Sequence, residues 1–250
     1  MERKVVVITG GSRGIGAATA VLAAQQGWNV ALSYQQAQPA AQAVVAQVQA
    51  LGAQALAVQA DVGEPEQVLS LFAAVDARFG RLDALVNNAG VVDRAQNLAE
   101  MSVERIERMF RINAIGAMVC AREAVRRMST AHGGQGGSIV NVSSIAARLG
   151  APKQYVDYAA SKGALDVLTV GLAKEVAAEG IRVNAVRPGL IATDIHASGG
   201  QPERVQRLAP HVPMQRGGSA QEVAQAIVWL MSDASPYTTG SWLDISGGNL

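Results

Sequence analysis

One pattern recurs along this chain and limits its possible folds: a helix-like segment ends at a glycine, and a short apolar run follows. Glycine readily takes the left-handed conformation that ends a helix, and continuous runs rich in Val and Ile are typical of strands buried on both faces. The sequence therefore predicts alternating strands and helices, which gives an α/β fold with a parallel sheet between two helical layers. The clearest instances are Gly27 before 30–32, Gly52 before 55–58, Gly80 before 82–86 and Gly180 before 181–186.

We expect a single domain over residues 1–250, because no linker, repeat or change of composition divides the chain. A helix over 158–178 is predicted from Leu and Val residues that share one helical face. The stretch 189–218 is long for a connection and has weak periodicity, so we interpret it as a substrate loop. Seven strands are expected, near 4–9, 29–34, 54–60, 82–87, 137–143, 181–187 and 241–245.

Composition argues against several classes of protein. Lys plus Arg is 21 and Asp plus Glu is 20, a formal net charge of +1, so neither a nucleic-acid partner nor an anionic membrane is expected. Hydrophobic residues are 49% and charged residues 16%, which argues against disorder. A single cysteine, Cys120, allows no internal disulfide and no cysteine-based zinc site, and we expect no metal. No apolar run reaches the roughly 18 residues of a membrane span, and none resembles a signal peptide, so a cytoplasmic protein is expected.

The first predicted strand runs into three glycines spaced Gly10-x3-Gly14-x-Gly16, with a helix-forming segment after them. Glycines let the backbone approach a pyrophosphate, and the free N–H groups at a helix N-terminus bind it. The turn predicts a dinucleotide site, although a tight strand–helix turn without a ligand could carry the same glycines. The segment 10–14 also matches the G-x-S-x-G elbow of hydrolases. That alternative is disfavoured, because the 3 histidines of the chain lie in loop-like sequence and the elbow would be unusually early.

The choice of dinucleotide is argued from a missing carboxylate. NAD sites usually place Asp or Glu about 20 residues after the glycines, where it bonds the ribose 2′-hydroxyl. Between Arg3 and Ala60 there is no Asp or Glu, and the second predicted strand is followed by Gln35 and Gln36. Arg13, within the glycine turn, could instead contact a 2′-phosphate. The sequence therefore predicts NADP, with NAD as the less favoured cofactor.

A second set of polar residues follows other strands. Tyr158 and Lys162 are four residues apart at the start of a predicted helix, so they share a face. Ser143 and Ser144 close the fifth predicted strand, and Asn113 lies in the helix before it. Ligands of parallel sheets bind beyond the carboxyl ends of the strands. We therefore expect these side chains to meet the glycine turn at one edge of the sheet.

Together these motifs resemble the short-chain dehydrogenase/reductase family over essentially the whole chain. The resemblance implies a Rossmann-type doubly wound parallel sheet of about seven strands, and an NAD(P)-dependent oxidoreductase acting on a carbonyl or secondary alcohol. One departure is the 14-residue step from Ser144 to Tyr158, one residue longer than in most members, which leaves Ser143 as an alternative catalytic serine. The matching residues are the turn 9–16, Asp61 and Val62, the segment 87–90, Asn113, Ser144, Tyr158, Lys162, Pro188, Gly189 and Thr193.

The resemblance also implies roles. Tyr158 would give a proton to the substrate oxygen, Ser144 would hydrogen-bond that oxygen, and Lys162 would hold the ribose and lower the pKa of Tyr158. A shift of that pKa from about 10 to about 7 requires about 4 kcal/mol, which an ammonium about 4 Å away supplies at an effective dielectric constant near 20. Asn113 would hold a water that links Lys162 to solvent, or else cap its own distorted helix.

The implied cofactor site draws on several strand ends. Asp61 would meet the adenine, with capping of the helix that begins near Pro65 as its alternative role. Ile191 and Thr193 would bind the nicotinamide amide. The expected cofactor-binding residues are Gly10, Ser12, Arg13, Gly14, Ile15, Gly16, Asp61, Val62, Asn88, Gly90, Tyr158, Lys162, Pro188, Gly189, Ile191 and Thr193.

Substrate and assembly are less constrained by sequence. The family resemblance implies a homo-oligomer, a dimer or homotetramer, with contacts through 101–128 and 158–178 and a tail, 246–250, that completes a tetramer. A non-catalytic dinucleotide sensor or scaffold of the same fold stays open as an alternative, and a small polar or sugar-like alcohol is slightly favoured as substrate. Charged residues of the loop are either substrate contacts or solvated lid charges; they are His196, Arg204, Arg207, His211 and Arg216.

Overall fold

The computed structural model describes residues 3–249 and confirms the α/β architecture. The strands are β1 (Val5–Ile8), β2 (Asn29–Tyr34), β3 (Ala55–Gln59), β4 (Ala84–Asn87), β5 (Gly137–Val142), β6 (Ile181–Pro188) and β7 (Trp242–Ile245). They form one sheet in the order β3-β2-β1-β4-β5-β6-β7, and every neighbouring pair is parallel. The predicted strands are all present, with ends that differ by at most 2 residues.

Helices cover both faces of the sheet. They are α1 (Gly14–Gln25), α2 (Gln38–Ala50), α3 (Pro65–Phe79), α4 (Val103–Phe110), α5 (Ala117–Met128), α6 (Ala146–Leu149), α7 (Val156–Val176), α8 (Ile195–Ser198), α9 (Arg204–Leu208) and α10 (Ala220–Met231). One core cluster joins the sheet to α1, α2 and α10, and a second joins its other face to α3, α5 and α7. The two apolar layers explain why the strands read as continuous apolar runs.

Local sequence explains where several elements begin and end. α3 begins at Pro65, whose fixed φ and missing N–H suit the first helical position. It ends before Gly80, whose φ of +68° is the left-handed conformation predicted there. Ser219 and Glu222 form a capping box at the start of α10.

The strand order reverses at β1, which lies between β2 and β4. Such a switch point opens a crevice beyond the carboxyl ends of the strands. The predicted loop 189–218 lies over this edge, and it is more structured than expected. It contains α8 and α9, and a bridge between Ile191 and Gly218 closes its base.

The helix expected over 101–128 is interrupted. Between α4 and α5, the segment Arg111–Gly116 is a π-helix, a distortion that is frequent at functional sites. Cys120 is buried on α5, as a small apolar residue would be. Across residues 3–249 we find no helix that is both long and apolar enough for a membrane span, and no group of three His, Cys, Asp or Glu side chains arranged to hold a metal ion.

Candidate active site

A cavity of about 800 Å³ lies beyond the carboxyl ends of the strands. Its walls are the glycine turn, the ends of β2, β4, β5 and β6, and the lid segment, which we define as residues 190–212. Nearly all of the predicted site residues line this cavity, including Ser144, Tyr158 and Lys162. Two predicted residues are absent from the lining: Gly16 and Asn113.

The glycine turn has no room for side chains. A Cβ on Gly10 would lie 2.9 Å from the Cα of Ala89, and one on Gly16 would lie 2.6 Å from both Asn88 Nδ2 and the Gly10 carbonyl oxygen. Gly10 and Gly14 also have φ values of +63° and +54°. The turn is therefore packed directly against the end of β4.

Asn88 and Thr9 hold this turn in place. Asn88 Nδ2 donates to the carbonyl oxygens of Thr9 at 2.8 Å and Gly10 at 3.0 Å. In return, Thr9 Oγ1 accepts from the backbone N–H groups of Asn88 and Ala89, each at 3.0 Å. Both hydrogen bonds of the Asn88 side-chain amide nitrogen therefore go to the glycine turn. Asn88 also lines the cavity.

The N-terminus of α1 faces the same cavity. Arg13 occupies the N-cap position with extended backbone, no side chain caps the helix, and its first turn has no acidic residue. The first N–H groups of a helix lack partners within it and attract anions. Together with the close-packed glycines, this end suits a pyrophosphate.

At the far end of the cavity, β2 finishes beside Gln35 rather than an acidic residue. Gln35 Nε2 donates to Asp61 Oδ2 at 2.7 Å, and Asp61 Oδ1 accepts from the Gly63 N–H at 2.8 Å. The alternative role of Asp61 as the cap of α3 is wrong, because Glu64 occupies the N-cap position. Asp61 and Val62 both line the cavity.

Arg13 reaches across the mouth of the cavity toward the lid segment. Its guanidinium lies 3.8 Å from the carboxylate of Asp194, with side chains 58% and 69% exposed. Exposed pairs of this kind contribute at most about 1 kcal/mol. The charge of Arg13 is therefore available to an anion that enters the cavity.

The two candidate serines differ in their partners. Ser144 interacts with Tyr158 and acts to lower its pKa, and the Oγ of Ser144 accepts from the Ala146 N–H at 3.1 Å. Ser143 is buried and donates its hydroxyl to the carbonyl oxygen of Lys162 at 3.1 Å. Ser144 is thus the serine that lies beside the tyrosine, while Ser143 ties β5 to α7.

Burial dominates the acid–base properties of this pair. It raises the pKa of Tyr158, and the hydrogen bond with Ser144 acts in the opposite direction. Burial also lowers the pKa of Lys162 to about 8, although the negative charge of Asp166 acts to raise it. The expected lowering of the Tyr158 pKa is therefore not found, because burial of the tyrosine outweighs the opposing effect of Ser144. Lys162 Nζ donates to the Val142 carbonyl oxygen at 2.8 Å and lies 5.8 Å from the centroid of the Tyr158 ring.

Asn113 sits behind the cavity, in the π-helical segment, and is fully buried. Its Oδ1 accepts from the Val91 N–H at 2.8 Å, and its Nδ2 donates to Ser161 Oγ at 3.1 Å. It connects the loop after β4 to α7. Gly90 passes close to both groups, because a Cβ there would lie 3.2 Å from Lys162 Nζ and 3.4 Å from Asn113 Oδ1.

The last residue of β6 and the residues that follow it form another part of the cavity wall. Pro188, Gly189, Ile191 and Thr193 all line the cavity. A Cβ on Gly189 would lie 2.7 Å from the Cα of Ser246, because the chain lies close beside the end of β7 there.

The longer step between Ser144 and Tyr158 contains a turn that sequence reasoning missed. After α6, Ala151 and Lys153 adopt φ values of +44° and +59°, which residues other than glycine rarely do. The turn brings Gln154 and Tyr155 to the cavity wall. The extra residue in the spacing was the one signal of this feature in the sequence.

The candidate lid charges separate into two groups. His196, Arg204 and His211 line the cavity, whereas Arg207 and Arg216 do not. Arg216 instead pairs with Glu222 at 2.6 Å outside it.

Comparison with known proteins agrees with this geometry. The family model described as enoyl-(acyl carrier protein) reductase matches residues 10–249. The uncharacterized oxidoreductase YgfF of Escherichia coli K12 is 55% identical over 244 residues, covering 98% of this chain and 99% of that protein. An L-rhamnose 1-dehydrogenase (NAD(P)(+)) of a Sphingomonas species is 37% identical over 249 residues, covering 99% and 96%.

Solved structures are similar over the same length. A short chain dehydrogenase from Burkholderia cenocepacia in complex with NADP has a TM-score of 0.90 and 36% identity, covering 99% of this chain and 98% of that one. A short-chain type dehydrogenase/reductase from Mycobacterium marinum has a TM-score of 0.92 and 33% identity, covering 99% and 95%. Since sequence and fold agree from end to end, this chain is an oxidoreductase that belongs to the short-chain dehydrogenase/reductase family.

Proposed function

We propose that this protein is an NADP-dependent oxidoreductase that transfers a hydride between nicotinamide and a carbonyl or secondary alcohol. The observation that carries the proposal is the convergence of Tyr158, Ser144 and Lys162 on the cavity that also contains the glycine turn. A proton donor, an oxyanion donor and an anion-binding helix terminus are the parts such a reaction needs.

The cavity suits a dinucleotide. The uncapped N-terminus of α1 and the close-packed turn would hold the pyrophosphate through Gly10, Ser12, Gly14 and Ile15, with Gly16 packed behind. Asp61 and Val62 would meet the adenine, Asn88, Gly90, Tyr158 and Lys162 the nicotinamide ribose, and Pro188, Gly189, Ile191 and Thr193 the nicotinamide. When bound, the reduced nicotinamide supplies the hydride.

Side chains of the protein would supply the proton that the reduction requires. Because its pKa is raised, Tyr158 is protonated at neutral pH and can pass the proton on Oη to the carbonyl oxygen. Ser144 would hydrogen-bond that same oxygen and stabilise its developing charge. Lys162 would hold the ribose and stand near the phenolate left on Tyr158. A water on Asn113 would link Lys162 to solvent.

Arg13 would provide the preference for NADP. It lines the cavity, its pairing with Asp194 is exposed, and β2 is followed by Gln35 where a carboxylate would select NAD. The NADP complex of the Burkholderia cenocepacia relative is consistent with this choice.

We also propose that residues 1–250 form one cytoplasmic domain that assembles as a homotetramer, with no nucleic-acid or membrane partner. Met118 on α5 and Val167 on α7 support the assembly, because they are 42% and 75% exposed on the elements expected to meet a second copy. The tail 246–250 would complete the tetramer, although its last residue lies outside the described residues.

The test is a parallel titration of the purified protein with NADPH and NADH, followed by turnover with a panel of ketones and aldehydes. We expect tight NADPH binding, weak NADH binding and carbonyl-dependent oxidation of NADPH. A preference for NADH would overturn the role of Arg13. Binding of neither nucleotide would overturn the oxidoreductase mechanism, and binding without turnover across the panel would favour the sensor alternative.

A further inference from the structure

The lid segment carries a cation without a counter-charge. Apart from histidines, the cationic side chains that line the cavity are Arg13, Arg108, Lys162 and Arg204. Three of them lie near carboxylates: Arg13 near Asp194, Arg108 near Asp93 and Lys162 near Asp166. Within the described part of the chain, Arg204 has no carboxylate within 4.0 Å, so its positive charge is open to a ligand.

Arg204 is nevertheless held in position. Its guanidinium lies over the ring of Tyr155, 5.3 Å from the centroid, and its Nη1 donates to Gln201 Oε1 at 3.2 Å. Gln201 also contacts the Tyr155 hydroxyl, and its Oε1 accepts from Arg207 at 2.5 Å. A neutral amide oxygen shared by two guanidiniums leaves most of the N–H donors of Arg204 free. Stacking on an aromatic ring orients the planar guanidinium before a ligand arrives.

Arg204 belongs to the same cavity as Tyr158, the proposed proton donor. Tyr155 is buried immediately before α7, and Tyr158 lies in the first turn of that helix. Arg204 and Tyr158 both line the same cavity, so a ligand within it can reach both groups. The field of Arg204 also reaches the cavity-lining His196, whose pKa is lowered by burial and further by the charge of Arg204.

We propose that the substrate is a short oxo- or hydroxy-carboxylate whose carboxylate binds Arg204 while its carbonyl lies at Tyr158. This inference rests on the proposed function. A guanidinium and a carboxylate match in bidentate geometry. The cavity of about 800 Å³ must hold the dinucleotide as well, which leaves room for a small molecule. The carboxylate distinguishes this substrate from the sugar-like alcohol favoured by the sequence.

The reaction balances without a further reactant. In reduction, the hydride from nicotinamide forms the new C–H bond at the carbonyl carbon, and the proton from Tyr158 forms the new O–H bond. The cofactor is oxidised, the ketone is reduced to the hydroxy acid, and Tyr158 regains a proton from solvent. The carboxylate is unchanged and serves for binding alone.

The test is calorimetric titration of the protein saturated with NADP⁺, in which no turnover occurs because cofactor and ketone are both oxidised. The probes are pyruvate, acetoacetate and levulinate, which vary the spacing of carboxylate and carbonyl, and their neutral methyl esters. At least one acid should bind more tightly than its ester. Arg204→Gln should lower the affinity for that acid roughly 10- to 100-fold and leave the affinity for the ester unchanged. Arg207→Gln is the matched control, because Arg207 shares Gln201 but lies outside the cavity, and it should bind the acid like the wild type.

The inference is overturned if no acid binds more tightly than its ester, or if Arg204→Gln weakens acid and ester equally. If that variant loses NADP⁺ binding, it has lost the fold, and Arg204→Lys then serves in its place, with weaker acid binding expected and unchanged binding contradicting the inference. Turnover with NADPH separates the two proposals. Reduction of esters without preference for acids contradicts this inference alone, whereas acid binding through Arg204 with no reduction of any ketone contradicts the proposed function.

Discussion

The two walls of the active-site cleft are built in different ways. The nucleotide wall, which comprises residues 9–16 and 87–90, includes main chain packed too closely for a Cβ, as at Gly10. The substrate wall, which comprises 149–155 and the lid segment, is made of long polar side chains that contact one another, such as Arg204 over Tyr155. A wall of main chain suits one constant ligand. In a wall of side chains, amino-acid substitutions can change which ligand is bound.

The substrate wall has a rigid support behind it. Arg105 on α4 pairs with Asp157 at 2.8 Å, and the two side chains are 9% and 0% exposed. Arg105 also donates to the Arg94 carbonyl oxygen at 2.7 Å and to Gln96 Oε1 at 2.6 Å. It therefore joins the loop after β4 to the start of α7, directly before Tyr158.

The largest expected effect comes from removing this support. Arg105→Met leaves the buried carboxylate of Asp157 without its partner, so the free energy of unfolding should fall by about 3–5 kcal/mol. Denaturant unfolding measures the change. Arg108→Met on the same helix is the control, because its pair with Asp93 is exposed and should contribute no more than about 1 kcal/mol. Equal losses in the two variants would show that the substrate wall has no rigid base.

The next prediction concerns the nucleotide wall. Gly16→Ala introduces a Cβ 2.6 Å from the Gly10 carbonyl oxygen, so the turn must shift. We expect a loss of about 1–3 kcal/mol in unfolding free energy, as for other overpacked sites, together with weaker NADPH binding by fluorescence titration. Gly171→Ala is the matched control, since a Cβ there meets no atom within 4 Å. Unchanged NADPH binding in Gly16→Ala would contradict the close-packed wall.

Arg13 is the one long side chain that the nucleotide wall contributes to the cavity mouth. Arg13→Gln should weaken NADPH binding roughly tenfold or more, the usual value of a hydrogen bond to a charged group, and leave NADH binding unchanged. Asp194→Asn should preserve NADPH binding, because it removes only an exposed partner. Parallel titrations of the two variants with NADPH and NADH measure these effects. An equal loss for both cofactors would assign Arg13 to the pyrophosphate or to the fold.

The smallest expected effect is a pH dependence of kcat/KM for NADPH, caused by Lys162. Because the pKa of Lys162 is lowered to about 8, its ammonium is present below that pH and is lost as the pH rises through it. The kcat/KM for NADPH reports groups of the free enzyme, so it should fall about tenfold between pH 7 and pH 9. Tyr158 does not cause this fall, since its pKa is raised. A flat profile to pH 10 would contradict the desolvation of Lys162.

Sequence predicted the nucleotide wall better than the substrate wall, for a physical reason. Glycine spacing is a local pattern that reports backbone geometry, so the turn at Gly10 between the first strand and the first helix could be anticipated. The contacts of Arg204 and Tyr155 join residues about 50 positions apart and depend on tertiary packing. The π-helix at Asn113 and the raised pKa of Tyr158 also depend on surroundings that no spacing encodes.

The most direct test of the mechanism is hydride transfer from bound NADPH in Tyr158→Phe, measured in a single turnover beside NADPH affinity. The matched control is Tyr155→Phe, which removes the hydroxyl that contacts Gln201 on the substrate wall. We predict that Tyr158→Phe binds NADPH like the wild type and transfers hydride roughly 10²- to 10⁴-fold more slowly, the usual contribution of general acid catalysis, while Tyr155→Phe keeps most of the rate. Full reductase activity in Tyr158→Phe would contradict the account.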